Sequence, residues 1–309
     1  MVEKKKVRLP AQIRASIEAQ IKKTAIEEGR PVETVRRRFV YERFLDRVFH
    51  GDEDGWILKG GVGMMVRVPN ARHSTDIDLV GRRGGDSVEA LIELTKSDTD
   101  PFRYTITPKR ETESIEGTRL TVVASLGGRK FEEFRIDLVS YHSLVGEVER
   151  RPLQSVVEDK HGDFPKKAGT IQLYPLADQM ADKICAIHEI HGDGHPSSRP
   201  RDLVDLLLIC EHLEFQLPDV VASVAAERDR RGLTLPEAMT PPRLWSGNWS
   251  GDDNVVHHLD LPLHAFDHAI ETAGRCYDRI LSHVANGTPA VSAVWVPKRQ
   301  SWDELVVAH

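Results

Sequence analysis

Two aspartates one residue apart, Asp76 and Asp78, interrupt an apolar run in the stretch RHSTDIDLV, residues 72–80. The run predicts a buried strand over 76–80, on which both carboxylates share one face while the apolar residues between them point to the core. Two carboxylates this close repel each other unless a cation lies between them, and oxygen ligands of this kind suit Mg²⁺. The pattern predicts a magnesium site, and two solvated acids at the end of a strand are the alternative interpretation.

A third carboxylate, Asp137, lies within the apolar run FEEFRIDLV, residues 131–139. The alternation of this run predicts another strand, with an acid again in the middle of a buried element. If the two strands are neighbours, Asp76, Asp78 and Asp137 converge as metal ligands. Two metal ions held there would clamp the attacking and leaving oxygens of an in-line phosphoryl displacement. The sequence therefore favours phosphoryl chemistry on one face of a sheet.

A phosphate-binding turn is predicted upstream of these acids. Lys59, Gly60 and Gly61 follow a short buried strand. A strand that ends in two glycines at the start of a helix lets backbone N–H groups approach phosphates closely. The segment has neither the P-loop ending nor GxGxxG, so an ordinary tight turn is the alternative interpretation.

Charged residues in the second half of the chain form the last candidate set. Lys183 lies in the helical pattern ADQMADKI, where its ammonium group can neutralise a triphosphate as a point charge. Asp202 follows Arg201 in the first turn of the next predicted helix, where the helix dipole favours an acid. Surface ion pairs explain these residues equally well from the sequence alone.

The elements that must position these residues fall into two halves. Apolar spacing predicts helices over 10–28, 32–49, 63–68 and 87–95, and strands over 56–58, 76–80, 104–106, 118–126 and 131–139. Further along, helices are predicted over 175–190, 201–213, 218–230 and 263–284, with a long loop over 236–253. We therefore predict an α+β fold with a first domain over 1–150 and a helical second domain over 151–309.

Composition places the chain among globular proteins. Its 309 residues are 40% hydrophobic and 29% charged, and no apolar run approaches the roughly 18 residues that span a bilayer. Three scattered cysteines without CxxC spacing fit a reducing compartment, so we predict a cytoplasmic protein with no membrane partner. The net charge of −6 hides a basic stretch, because residues 1–40 hold eleven Lys or Arg against five acids. Such a stretch favours nucleic-acid binding, and a solvated helix face is the alternative.

Taken as a set, the motifs resemble a known family. LKGG at 58–61, S-x-D-x-D-L at 74–79, the lone Asp137, the helical ADK at 181–183 and RDLVDL at 201–206 are similar to the AbiEii/MenT-type nucleotidyltransferase toxins. These toxins belong to the DNA polymerase β-like nucleotidyltransferase superfamily. The resemblance covers roughly residues 8–215, and residues 216–309 carry no matching motif.

The resemblance implies a polymerase β-like mixed sheet with flanking helices, followed by a helical C-terminal domain. It also implies Mg²⁺-dependent transfer of a nucleoside monophosphate from an NTP to an RNA end. In the MenT branch that end is the 3′ acceptor end of tRNA, and the modification blocks translation. The protein would then be the toxin of a type IV-like toxin–antitoxin system and a monomer. Its partners would be tRNA, NTP and a cognate AbiEi/MenA-type antitoxin.

The same resemblance implies roles for the candidate residues. Gly60 and Gly61 would hold the triphosphate, Lys183 would contact the nucleotide phosphates, and Lys59, Ser74 and Arg201 are further predicted nucleotide-binding residues. Asp76 and Asp78 would bind metal, Asp137 would be the third carboxylate and activate the acceptor hydroxyl, and Asp202 would belong to the family's fourth motif. Ser74 is also the predicted site of regulatory phosphorylation, since a phosphate beside Asp76 would compete with NTP for cations.

Other functions fit the same residues. A nucleotidyltransferase of this fold could use a protein or a small molecule as acceptor. A metal-dependent nuclease could use the same carboxylates, and a non-catalytic binding protein could keep the fold for partner recognition.

Overall fold

The computed structural model describes residues 8–305 except 69–70, 83–86, 98–99, 109–116, 141–142, 165–168, 193, 250–255 and 257–258. These residues form the mixed α+β structure that the sequence predicts. Lys4, Lys5 and Lys6 of the predicted basic stretch lie outside the described residues. No helix in this part of the chain has both the length and the apolar character needed to cross a membrane.

Helices and strands are numbered in chain order. Helices α1 to α8 cover Pro10–Glu28, Val32–Gly51, Gly60–Arg67, Ser87–Thr95, Leu176–His188, Pro200–His212, Leu217–Arg231 and Phe266–Asn286. Strands β1 to β10 cover Trp56–Lys59, Asp76–Gly81, Phe102–Pro108, Thr118–Leu126, Arg129–Ser140, Glu149–Pro152, Thr170–Leu173, Phe215–Gln216, Ala293–Val296 and Ser301–Glu304. Short 3₁₀ helices cover Arg243–Gly247, Leu261–His264 and Pro297–Arg299.

The described residues divide into two compact units that interleave along the chain. The first unit comprises those within Met1–Val62, Ser74–His142 and Glu149–Leu173, and the second comprises those within Gly63–His73, Ser143–Val148 and Tyr174–His309. Strand β6 spans the predicted boundary near residue 150 and β7 lies beyond it, and both contribute to the sheet of the first unit.

A seven-stranded mixed sheet forms the first unit, in the order β3-β4-β5-β2-β1-β7-β6. β2 pairs in parallel with β5, and β1 pairs in parallel with β7, whereas the other neighbours are antiparallel. The two strands that carry the candidate carboxylates are therefore adjacent, as the convergence of these acids requires. On each strand alternate apolar residues are buried, Ile77 and Leu79 on β2 and Ile136 and Leu138 on β5. This alternation leaves the aspartates on the opposite face.

Helix α2 packs on the apolar face of the sheet through aromatic rings. Tyr41 and Phe44 lie edge-on to Phe134 of β5, with ring centroids 5.1 and 5.4 Å apart. Phe134 and Asp137 are three residues apart on β5, so their side chains point to opposite faces of the sheet. The helix therefore covers the face away from the carboxylates. The packing thus anchors the strands while leaving the acidic face uncovered by α2.

The second unit is helical, as predicted, and also contains a small sheet. Helices α5 to α8 surround a core that includes Tyr277 and Trp295, whose polar atoms bond to carbonyls of α6: the Tyr277 hydroxyl donates to Leu206 at 2.7 Å and the Trp295 indole donates to Cys210 at 2.9 Å. Strands β8, β9 and β10 form an antiparallel sheet. Strands of two to four residues are too short for alternation to reveal them in the sequence.

Candidate active site

A row of four charged side chains crosses one face of the first unit's sheet. Lys59 on β1 is opposite Asp78 on β2, Asp78 is opposite Asp137 on β5, and Asp137 is opposite Arg119 on β4. Residues that face each other on neighbouring strands project to the same side of a sheet. The row therefore consists of two adjacent carboxylates flanked by two cations.

Two arginines hold the carboxylates of this face in two-pronged hydrogen bonds. Arg135 donates from Nε to Asp76 Oδ1 at 2.7 Å and from Nη2 to Oδ2 at 3.2 Å. Arg119 donates from Nε and Nη2 to the two carboxylate oxygens of Asp137, both at 2.7 Å. The pKa of Arg119 is raised by its hydrogen bond to Asp137 and, less strongly, by the charges of Asp76 and Asp78. The pKa of this one guanidinium group is thus raised by all three carboxylates.

Gly60 is the residue that gives the carboxylate of Asp78 its space. Its φ of +64° lies in the left-handed region that glycine tolerates best. A Cβ atom built at this position would lie 1.8 Å from Oδ2 of Asp78. Both the backbone conformation and the close carboxylate therefore require glycine where β1 passes into α3.

The residues just before β2 are held by two hydroxyl groups. The Tyr41 hydroxyl donates to the carbonyl of Thr75 at 2.7 Å, and the Ser74 hydroxyl donates to the carbonyl of Asp76 at 2.9 Å. Burial raises the pKa of Tyr41, so this phenol is a neutral donor at physiological pH. The two hydrogen bonds fix the backbone at the position where Asp76 enters the sheet.

The donor chemistry of this face fits a hard divalent cation. Mg²⁺ is commonly bound through one or two carboxylates, with substrate phosphates and waters as its remaining ligands, and Asp76 and Asp78 present such oxygens from one face of β2. The guanidinium groups of Arg135 and Arg119, which bind Asp76 and Asp137, show that these carboxylates accept cationic partners. Within the described part of the chain, no three His, Cys, Asp or Glu residues are placed to hold a metal ion together. The oxygens of Asp76 and Asp78 therefore suit Mg²⁺ in kind, and metal ligation by Asp76, Asp78 and Asp137 stays a prediction.

A second cluster of predicted site residues lies inside the second unit. The ammonium group of Lys183 donates to Asp202 Oδ1 at 2.9 Å and to Asp205 Oδ2 at 2.6 Å. Arg72 donates from Nε and Nη2 to the two oxygens of Asp205, at 2.7 and 2.8 Å. Lys183, Asp202 and Asp205 are all buried. The predicted residues Lys183 and Asp202 are therefore brought together as direct partners.

The electrostatics of this buried cluster favour its charged forms. Burial acts to lower the pKa of Lys183, but the carboxylates of Asp202 and Asp205 outweigh it and raise the pKa. Burial likewise acts to raise the pKa of Asp205, and the charges of Lys183 and Arg72 outweigh it and lower the pKa. Each charge is stabilised by its partners, so removing one partner leaves another charge buried without compensation.

Several residues of these two clusters were not predicted from the sequence. Arg119, Arg135, Arg72 and Asp205 each complete a two-pronged pair. Arg135 carried a signal in the sequence, because it lies two residues before Asp137 and therefore shares its face of the strand. Asp205 also carried one, as an acid within the apolar run of RDLVDLLLI. Among the predicted residues, Arg201 is exposed on α6.

Comparison with known protein families identifies the family of this chain. The family model described as nucleotidyl transferase AbiEii toxin, type IV TA system, matches residues 43–293. This range includes every candidate residue of both clusters. No curated protein matches the chain.

The solved structures that resemble the chain include two that illustrate its low sequence identity to them. MenT4, a nucleotidyltransferase toxin from Mycobacterium tuberculosis H37Rv, is 16% identical, with a TM-score of 0.52 over 88% of this chain and 90% of that one. JHP933 from Helicobacter pylori is 18% identical, with a TM-score of 0.46 over 81% of this chain and 94% of that one. The first likeness supports the fold alone. Because the family model matches most of the sequence, the chain belongs to the AbiEii family of nucleotidyltransferase toxins from type IV toxin–antitoxin systems.

Proposed function

We propose that this protein transfers a nucleoside monophosphate from an NTP to the 3′ acceptor end of tRNA, which prevents aminoacylation and so blocks translation. The observation that carries the proposal is the charged row across the sheet, in which Asp78 and Asp137 are adjacent and Lys59 and Arg119 flank them. Phosphoryl transfer needs a group that positions the attacking hydroxyl and cations that offset the charge of the triphosphate. One face of this sheet holds both kinds of group.

The residues of this face then have distinct tasks. Asp76 and Asp78 would hold Mg²⁺, which supplies charge neutralisation at the triphosphate. Asp137 orients the 3′ hydroxyl and takes its proton as the oxygen attacks the α-phosphorus. The new bond joins the 3′ oxygen to phosphorus, the bond to the β-phosphate breaks, and pyrophosphate leaves. Gly60 brings backbone N–H groups near the phosphates at the start of α3.

The other predicted nucleotide-binding residues keep their proposed roles. Lys59 would contact the triphosphate beside Asp78, and Gly61 follows Gly60 in the first turn of α3. Lys183, Arg201 and Asp202 contribute to nucleotide binding as the family's later motifs. The ion pairs of Lys183 with Asp202 and Asp205 would keep this ammonium group protonated in the process. The protein acts in the cytoplasm, as a monomer, where NTP and tRNA are present.

The experiment that tests the proposal is transfer of radioactive label to purified tRNA. The protein is incubated with tRNA, Mg²⁺ and each of the four [α-³²P]NTPs in turn, beside the Asp76→Asn variant, which keeps the size of the side chain and removes its charge. We expect label in tRNA with at least one NTP and a rate roughly 100-fold or more lower for the variant. Label that enters tRNA equally with both proteins would overturn the assignment of Asp76.

The same incubation separates the competing functions. Label in protein or in a small molecule, with none in tRNA, supports a different acceptor. Shortening of RNA in the absence of NTP supports a metal-dependent nuclease. Toxicity in cells that survives Asp76→Asn supports a non-catalytic binding protein.

A cognate antitoxin is the proposed partner, and Ser74 is its proposed target. The Ser74 hydroxyl is buried and donates to the backbone of Asp76, so phosphorylation would break this hydrogen bond and place about two negative charges beside the metal-binding pair. We expect the phosphorylating antitoxin to inhibit tRNA labelling by the wild type and to leave unchanged whatever labelling activity Ser74→Ala retains. Mass spectrometry of the co-expressed protein checks the site, and a phosphate found elsewhere would rule Ser74 out.

A further inference from the structure

The two arginines on the carboxylate face are not explained by support of the fold alone. Arg135 is 51% exposed and Arg119 is 36% exposed, whereas the carboxylates they hold are about a quarter exposed. An ion pair at this exposure contributes little to stability, because water screens its charges. Both arginines therefore hold their carboxylates reversibly, at small cost to the fold when the pairs separate.

Each arginine occupies a carboxylate that the proposed function assigns to other partners. Asp76 is paired through both oxygens with Arg135, and Asp137 is paired through both oxygens with Arg119. A divalent cation at Asp76 competes with Arg135 for these oxygens, and a hydroxyl that bonds to Asp137 competes with Arg119. Each arginine that is displaced leaves a free guanidinium group on the face where the phosphates arrive.

The freed groups match phosphate in geometry and charge. A guanidinium group offers parallel N–H donors that bind a phosphate in the same two-pronged manner as a carboxylate. Arg135 and Arg119 lie on adjacent strands, β5 and β4, and Arg135 shares its face of β5 with Asp137. Phosphates placed beside Asp76 and Asp137 would therefore come within reach of both side chains.

We propose that Arg119 and Arg135 are substrate-phosphate-binding residues that exchange partners: they hold Asp137 and Asp76 in the empty protein and hold phosphate groups of the substrate once these carboxylates are engaged. The proposal rests on the proposed function of this face. It gives the arginines two opposite effects, since they compete with the metal ion and assist the polyanionic substrate.

The test measures the two effects separately on the full-length protein. Binding of Mn²⁺, as the metal alone, is followed by electron paramagnetic resonance for the wild type, Arg135→Gln, Arg119→Gln and the double variant. We expect Mn²⁺ affinity to rise about two- to fivefold in Arg135→Gln, because an exposed competitor is removed. Arg135→Lys keeps the positive charge but loses the two parallel N–H donors, so its Mn²⁺ affinity should lie between those of the wild type and Arg135→Gln.

Phosphate binding is measured in two arms that distinguish its source. One arm uses a non-hydrolysable NTP analogue with Mg²⁺, and the other uses tRNA without nucleotide in a filter-binding assay. We expect the affinity in at least one arm to fall roughly 10- to 100-fold in the double variant, and the arm that falls identifies whether the phosphates belong to the triphosphate or to RNA.

Arg150→Gln is the matched control. Arg150 is an exposed arginine on the edge strand β6, paired with Glu53 and Asp54, so its loss should alter neither metal nor phosphate binding. Thermal unfolding of every variant shows whether the fold is kept.

Three results would overturn the proposal: Mn²⁺ affinity that is unchanged or lower in Arg135→Gln, wild-type phosphate affinity in both arms, or no Mn²⁺ binding by the wild type at millimolar concentrations. Failure of the proposed function looks different. A wild type that shows the opposed shifts and yet labels no tRNA contradicts the tRNA reaction and leaves the exchange of partners intact.

Discussion

The two charged clusters of this protein use the same pairing chemistry in opposite surroundings. On the sheet, Arg135 forms a two-pronged ion pair with Asp76, and about half of the arginine side chain is exposed to solvent. In the second unit, Arg72 grips Asp205 with the same two-pronged geometry, but the carboxylate is fully buried. Both pairs join an arginine to an aspartate through Nε and Nη2.

Solvent exposure decides what each pair can do. Water screens the exposed pair and can replace either partner, so the pair contributes little to stability and can exchange its partners. In the buried pair each charge depends on the other, because its separation would leave a charge in a medium of low dielectric constant. The same motif thus serves exchange on the sheet and structural integrity in the second unit.

The largest expected effect comes from breaking the buried cluster. Asp205→Asn removes the charge that both Lys183 and Arg72 contact, and we expect the free energy of unfolding to fall by about 3–5 kcal/mol. Urea denaturation followed by circular dichroism measures this change. The matched exposed variant, Asp76→Asn, should lose only about 0–1 kcal/mol while losing tRNA labelling. Equal losses of stability in the two variants would contradict the comparison.

A smaller effect is expected where the backbone approaches the exposed carboxylates. Gly60→Ala places a methyl group against Asp78 and forces a left-handed residue to carry a Cβ, at a cost of about 1–2 kcal/mol in stability. Gly128→Ala is the control, since Gly128 has a φ of +74° and open space around it. We expect Gly128→Ala to show the effect of backbone strain alone, Gly60→Ala to be destabilised further in thermal unfolding, and Mn²⁺ binding to be lost in Gly60→Ala alone. Loss in both would show that strain, and not the carboxylate, is responsible.

The hydroxyl that supports Asp76 should matter less. Tyr41→Phe removes the hydrogen bond to the carbonyl of Thr75, and we expect a loss of about 1 kcal/mol in stability. Because this bond positions the residue before Asp76, the maximal rate of tRNA labelling should also fall while the KM for NTP stays near that of the wild type. A changed KM with an unchanged rate would place Tyr41 in nucleotide binding instead.

The smallest effect is that of pH near neutrality. The pKa of Asp205 is lowered in the fold, so its stabilisation is present above about pH 3.9 and is lost as pH falls through the folded pKa. The pKa of Lys183 is raised, so its stabilisation is present below about pH 10.4 and is lost as pH rises through the folded pKa. Between these limits both contributions are fully present, so the stability measured there should not change with pH on account of this cluster. A transition near pH 7 that disappears in Asp205→Asn would contradict this.

Much of the fold follows from local patterns in the sequence. The predicted helices over 10–28 and 87–95 and the predicted strand over 118–126 match the observed elements. The alternation in RHSTDIDLV and FEEFRIDLV placed the aspartates opposite the buried residues, and the structure confirms that their strands are neighbours. Strands β6 to β10 were not predicted, because they have two to four residues and little alternation.

The sequence by itself therefore determined the elements, the face on which the acids lie and the family to which the chain belongs. Only the tertiary structure decided which arginine or lysine side chain pairs with each aspartate. Arg135 is 59 residues from Asp76, and Arg72 is 133 residues from Asp205. Periodicity is a property of consecutive residues, whereas such pairs depend on strand register and helix packing between distant segments. The same packing sets how much water reaches each pair, and so separates the exchangeable carboxylates of the sheet from the fixed ones of the second unit.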